Sequence, residues 1–189
     1  MNIFIRFAKL TAWHDENKTG ITNQLANDLI QILEPYGQIH LSSERPLPPE
    51  LEKYRVNVKA SDILDVLYYS DLYIGDSQTM TAEAAVLGTP SIRFNDFVGK
   101  LGYLEELEHK YQLTFGIPTH QSEKLLAKTR ELISTPDLKK LWQQRRERLL
   151  RETIDPTQFF VWFFENYPSS AEQLLKDPTL QQKFRDNVS

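Results

Sequence analysis

Between residues 72 and 93 the chain reads Leu-Tyr-Ile-Gly-Asp-Ser-Gln-Thr-Met-Thr-Ala-Glu-Ala-Ala-Val-Leu-Gly-Thr-Pro-Ser-Ile-Arg. The apolar run ends at Gly75, and the polar residues Asp76 to Thr79 follow at once. Ala82, Ala85, Val86 and Leu87 predict a short helix of small residues that can lie close on a sheet. Gly88 stops that helix, and Pro90 opens the next strand. A strand feeding a helix through small polar residues leaves the first helical N–H groups without intrahelical partners, all pointing at one spot. The helix dipole makes that spot attractive to an anion such as phosphate. Ser77, Gln78, Thr79 and Met80 are therefore candidate phosphate ligands. Glu83 stands about one turn further in, where a carboxylate can accept hydrogen bonds from a ribose diol.

Other residue clusters follow predicted strands. Trp13, His14, Asp15, Lys18, Thr19, Gly20 and Thr22 crowd into the segment Lys9 to Thr22, just beyond a strand that carries Arg6. His14 and Lys18 can offset phosphate charge and Trp13 can stack on a base or sugar; the plainer reading is a solvated loop with Trp13 as a packing anchor. Ser42-Ser43-Glu44-Arg45 follows the second strand, and Ser43 is either a contact to base or ribose or a turn residue. Arg93, Asn95, Asp96 and Lys100 follow a later strand and are candidate ligand contacts, with Asp96 equally readable as a turn residue. Glu105 and Glu106 read as solvent-facing, and His40, His109 and His120 show no ligand spacing, so no metal or other cofactor is expected. The charged run from Lys139 to Arg151 alternates with Glu and Gln and reads as a solvated helix face.

The elements that position these groups alternate. Strands are predicted over 2–8, 38–42, 55–58, 72–75, 91–94 and 113–115. Helices are predicted over 22–33, from Ser61-Asp62 through Tyr68, and over 101–111. Strands alternating with helices at short spacing predict a three-layer, Rossmann-like α/β fold with a parallel sheet. Parallel strands bring the loops after each strand to one edge of the sheet, where open α/β sheets bind ligands. Beyond Thr119 only helices are predicted, over 122–133, 136–152, 154–167 and 171–186. The expected organisation is an α/β domain over 1–118 and a helical C-terminal extension over 119–189 packed on it. Phe159, Phe160, Trp162, Phe163 and Phe164 cannot share one side of a helix. One side is expected to pack inward, and the other to meet the final helix, a second subunit or a further domain.

Composition removes several function classes. The 189 residues are 40% hydrophobic and 25% charged, ordinary for a globular chain. A net charge of −4 gives no electrostatic footprint for nucleic acid, and no 18-residue apolar run is present to span a membrane. With no cysteine, neither disulfides nor thiol catalysis are available. Met1 leads straight into a strand without a basic start, so the expected compartment is the cytoplasm.

The segment Gly75 to Pro90 resembles the nucleotide-binding strand-loop-helix in the C-terminal domain of GT-B-fold enzymes, the nucleotide-sugar glycosyltransferases and UDP-N-acetylglucosamine 2-epimerases. The resemblance places Ser77 to Met80 at the diphosphate turn and Glu83 at the ribose. Gln78 and Thr79 stand where those enzymes usually carry glycine. A longer resemblance runs through Arg6-Phe7, Trp13-His14-Asp15, Ser42-Ser43-Glu44, Gly75-Asp76, Glu83 to Pro90, Gly102 to Glu106 and Trp162 to Pro168. It points to the C-terminal half of a prokaryotic family known only as a domain of unknown function. The implied activity is binding of a UDP-sugar by one half of a glycosyltransferase or epimerase, with an N-terminal Rossmann-like domain missing. The alternative is a non-catalytic assembly or regulatory domain that kept the fold and lost the ligand.

Overall fold

The computed structural model describes residues 1–8 and 20–185. Strands β1 (Asn2–Phe7), β2 (Gln38–Ser43), β3 (Leu72–Gly75), β4 (Ser91–Phe94) and β5 (Thr114–Ile117) form one sheet in the order β2-β1-β3-β4-β5. Every pairing is parallel. β1 is apolar on both faces because both are covered: Ile3, Phe4, Ile5 and Phe7 are fully buried. Phe4 and Tyr73 point to one face, where they pack with Leu67 of α3 (Ile63–Tyr69) and Met80 and Ala84 of α4 (Gln78–Leu87). The other face carries α1 (Asn23–Leu33) and α6 (Ser122–Ile133), which pack on each other. The fold is thus the three-layer parallel α/β arrangement expected from the alternation of elements.

Local chemistry sets the helix ends. Thr22 caps α1, its hydroxyl accepting from the Leu25 N–H at 3.2 Å. Gly88 ends α4 at φ +77°, a left-handed conformation that glycine adopts without steric cost. The small side chains of Ala84 and Ala85 bury α4 directly on the sheet.

Two expected elements take a different form. The segment 55–58, which follows the short helix α2 (Pro49–Glu52), is not a sixth strand. It makes a single parallel bridge, Leu41 to Arg55, with Leu41 N–H donating to Tyr54 O at 2.8 Å and Val56 N–H to Leu41 O at 2.9 Å. The chain then leaves the sheet for the 3-10 turn Ala60–Asp62, too soon for a ladder to form. The expected helix 101–111 is a short α5 (Gly102–Glu105) continued by a π turn over Glu106–Lys110. That turn carries Glu108, whose carboxylate accepts the Gly116 N–H of the edge strand β5 at 2.9 Å. Glu105 is correspondingly not a purely solvent-facing residue: its carboxylate accepts the Gly99 N–H at 3.1 Å.

The chain divides into two compact units, Met1–Arg146 and Glu147–Ser189. α6 and the first part of α7 (Leu138–Glu152), grouped in the sequence reading with the C-terminal helices, belong to the first unit. Trp142 is buried there and donates its indole N–H to Leu113 O at 2.7 Å. Gln143 and Arg146 donate to the carbonyls of Gly88 and Val86, at 3.2 and 2.8 Å. In the second unit α8 (Pro156–Glu165) is capped by Asp155, and α9 (Ser169–Lys176) leads into a 3-10 segment, Pro178–Phe184. Phe184 folds back on Phe159 and Trp162, with ring centroids 5.6 and 5.3 Å apart. Trp162 therefore meets the chain's own tail, while Phe160 and Phe164 stay exposed.

Candidate functional site

β1 and β3 lie side by side, and the chain leaves them in opposite directions: from β1 toward β2, and from β3 through α4 toward β4. That is a topological switch point, and the crevice beyond these strand ends is where such sheets bind ligands. The head of α4 occupies it. Ser77 is the N-cap, its hydroxyl accepting the Met80 N–H at 3.4 Å. Thr81 donates its hydroxyl to Ser77 O at 2.7 Å and so braces the first turn. The N–H groups of Gln78 and Thr79 lie at the helix head, where no intrahelical acceptor exists. Neither these N–H groups nor the two side chains make a hydrogen bond or ion pair among the described residues.

Asp76 shapes the floor of this crevice. It is 2% exposed, and its Oδ1 accepts the Ala8 N–H at 2.6 Å, tying the end of β1 to the end of β3. Oδ2 has no hydrogen-bond partner. Burial pushes the carboxyl up to about 6, against the lowering effects of the Ala8 N–H and the Arg45 charge. Asn95 closes the same junction from β4, donating its amide to Asp76 O at 3.0 Å. Asp76 is thus a buried brace rather than a polar side chain of the phosphate turn.

The other expected residues divide. Glu83 lies half-buried on α4, and its carboxylate makes no hydrogen bond or ion pair among the described residues. Met80 has its side chain in the core cluster with Phe4, Leu67 and Tyr73, and its N–H is taken by the Ser77 cap. Ser43 serves as a turn residue, donating its hydroxyl to Arg45 O at 2.7 Å and accepting the Arg45 N–H at 3.1 Å. Arg6 donates to Ser42 Oγ at 2.9 Å and pairs with Glu44. Thr119 donates to Asp96 beyond the ends of β4 and β5. The loops starting at Ser43, Asp76 and Asn95 therefore share the C-terminal edge of the sheet. His14 and Lys18 lie outside the described residues.

Two features of this edge take their meaning only from the folded structure. Ser42, Arg6, Gly75, Arg93 and Gly116 are in register across the strands. Gly75 is required by its own neighbour: a Cβ there would collide with the Tyr73 hydroxyl and lie 2.7 Å from its ring carbon Cζ. Tyr73 is fully buried; burial, then the nearby Asp76 charge, push its phenol far above the ordinary range. Arg93 is the second feature. Its side chain is 0% exposed and faces Glu105 at 3.4 Å and Glu108 at 3.6 Å. The sequence singled out Arg93 beside Asn95, Asp96 and Lys100, but not its burial or its two carboxylate neighbours.

Among the described residues no cluster of three His, Asp or Glu could hold a metal ion, and no helix is long and apolar enough to cross a membrane. No protein-family model matches the chain, and no curated protein matches its sequence. Solved structures do match. One is the glycotransferase of kitacinnamycin, at TM-score 0.50 and 15% identity over 77% of this chain. Another is UGT71G1 of Medicago truncatula, solved in complex with UDP-glucose, at TM-score 0.51 and 13% identity over 82% of this chain. The chain spans 38% and 37% of the lengths of these two proteins. At such identity the likeness establishes the fold, that of GT-B glycosyltransferases.

Proposed function

We propose that this chain is the nucleotide-sugar-binding half of a GT-B-like glycosyltransferase or sugar-nucleotide epimerase, catalytically incomplete by itself. The observation that carries this is the head of α4 at the switch point, with two unengaged N–H groups and an unengaged carboxylate one turn further in. A diphosphate at Gln78 and Thr79 gains hydrogen bonds and the helix dipole. Glu83 accepts from the ribose hydroxyls. When the bond from the sugar to the diphosphate breaks, its electron pair stays on the phosphate oxygen, and the same N–H groups stabilise the growing charge. The group that activates an acceptor comes from a partner domain.

A second reading is a domain that keeps this fold for assembly and binds no nucleotide. Gln78 and Thr79 favour it, because their side chains stand at the helix head where glycine would leave room. So does Gly75, whose missing side chain serves Tyr73 rather than a ligand.

UDP and inorganic pyrophosphate, titrated into the 15N-labelled chain, separate the two. The expected affinity is ~mM, about 4 kcal/mol, since only half of a cleft is present. UDP should shift the Gln78 and Thr79 amides. Glu83→Ala should weaken UDP while leaving pyrophosphate unchanged. Amides unmoved by either compound at about ten times that concentration would favour the assembly domain.

A further inference from the structure

We propose that the groove between α1 and the short helix α2 binds a neutral oligosaccharide, at a site apart from the crevice at the head of α4. Binding stands on the groove alone. Only its use, to hold the body of an acceptor glycan, rests on the nucleotide-sugar reading.

The groove has a volume of about 680 Å³, within the range of small-molecule sites. One wall is α1. Asn27 and Gln31 line it four residues apart, so their side chains stand one above the other on a single helix face, about 6 Å apart. Glu50 of α2, and Tyr54 just beyond that helix, line the other wall. Ile30, 5% exposed, is the floor. One end is closed by residues distant in sequence. Tyr54 donates its hydroxyl to Glu34 Oε1 at 2.9 Å, and Lys53 Nζ lies 3.9 Å from the same carboxylate and 4.6 Å over the Tyr54 ring. Toward the other end Gln24 donates its amide to Asp28 Oδ1 at 3.0 Å. Between them Asn27, half-buried, and the exposed Gln31 and Glu50 make no side-chain hydrogen bond or ion pair among the described residues.

Those three side chains select the ligand. Each carboxamide sets donors beside an acceptor, and an ionised Glu50 only accepts. A hydroxyl also donates and accepts, so a row of sugar hydroxyls matches a row of carboxamides. A protein segment would bring apolar side chains to bury, and the groove offers them little. Ile30 is already covered, the Tyr54 ring lies under Lys53, and none of the exposed large apolar residues lines the groove. The charged lining groups are Glu34, Glu50 and Lys53, one net negative charge, so phosphorylated and uronic chains are disfavoured. The position fits the use. α1 packs on the face of the sheet opposite α4. Gln24 borders the groove and also a second cavity, which reaches Phe94 and Thr119 at the C-terminal ends of β4 and β5. A glycan lying along α1 thus passes over Gln24 toward the edge where its reacting end is needed.

The test follows the side-chain amide resonances of Asn27 and Gln31 in the 15N-labelled full chain, assigned by their loss in Asn27→Ala and Gln31→Ala. Maltotriose, cellotriose and triacetylchitotriose are titrated separately, with glucose and a lysine-containing pentapeptide as comparisons. At least one trisaccharide should shift both signals at millimolar concentration. Glucose, which spans only part of the groove, should bind about tenfold more weakly, the effect of one or two hydrogen bonds. The double variant Asn27→Ala, Gln31→Ala should lose about tenfold in trisaccharide affinity for the same reason, with its circular dichroism unchanged. Signals unmoved by every trisaccharide at about ten times that concentration overturn the proposal. So does a folded double variant that binds as well as the wild type. A shift caused by the pentapeptide alone also overturns it and assigns the groove to a protein segment. UDP is read separately at the Gln78 and Thr79 amides. Trisaccharide binding without UDP binding therefore upholds the groove and removes only its use in glycosyl transfer.

Discussion

Replacing Asp76 with asparagine should stabilise the protein near neutral pH and leave it unchanged in acid. The carboxyl is buried, with one oxygen on the Ala8 N–H and the other without a well-formed bond, although the backbone N–H groups of Ile21 and of Asp76 itself also lower it. Burial raises it from 3.8 to about 6, against the lowering effects of the Ala8 N–H and of Arg45. The folded state therefore holds a proton that the unfolded state has released between those two values. By linkage, stability falls as pH rises through that window and is flat above it. At 1.36 kcal/mol for each tenfold in proton affinity, the gap corresponds to about 3 kcal/mol as an upper limit. The amide introduced by Asp76→Asn would keep an acceptor for the Ala8 N–H and carry no charge. Urea unfolding of both proteins from pH 3.5 to 8 gives the difference directly, and titration of the other carboxylates cancels. The variant should gain between roughly 1 and 3 kcal/mol by pH 7.5, appearing between pH 4 and 6. If Asp76→Asn is less stable at pH 7.5, or the difference does not change with pH, the buried charge is not the cost argued here.

The remaining expectations concern packing and the helix head. Gly75→Ala should cost about 1–3 kcal/mol through overpacking against Tyr73; Tyr73→Phe should recover part of that loss in the double variant, measured by the same unfolding assay. Trp142→Phe removes the donor from buried Leu113 O and should cost about 1–3 kcal/mol in urea unfolding. Gln78→Gly should lower stability by about 1 kcal/mol, yet raise UDP affinity in titration calorimetry if the side chain is what crowds the diphosphate.

How far the sequence could be read depended on whether one local signal settled each element. α6 was legible at Ser122–Ile133 and α1 within one residue, because an apolar stripe of helical period and its flanking residues agree there. Gly88 marked the end of α4 because only the left-handed cap calls for glycine at that point. The segment 55–58 has strand-like residues, but pairing depends on how soon the chain must turn for Ala60–Asp62, a tertiary matter. The π turn at Glu106–Lys110 has no periodic signature either. It is bound up with two charges and a backbone amide, Arg93, Glu108 and Gly116, that are near one another only after folding.

The candidate site shows the same division inside a few residues. Polar residues after a buried strand correctly marked a helix head at a strand end. Which of them face a ligand was not legible, because the fold claims most of their side chains. Ser77 caps the helix, Met80 fills the core beside Tyr73, Thr81 braces the first turn and Asp76 joins two strands. What remains for a ligand is backbone at Gln78 and Thr79 and the carboxylate of Glu83. A site of that kind discriminates poorly by side-chain chemistry. Its selectivity would have to come from what borders it, including whatever faces the crevice from outside this chain. Sequence motifs reported where a helix head meets a strand end, while burial decides which side chains there are left over for a ligand.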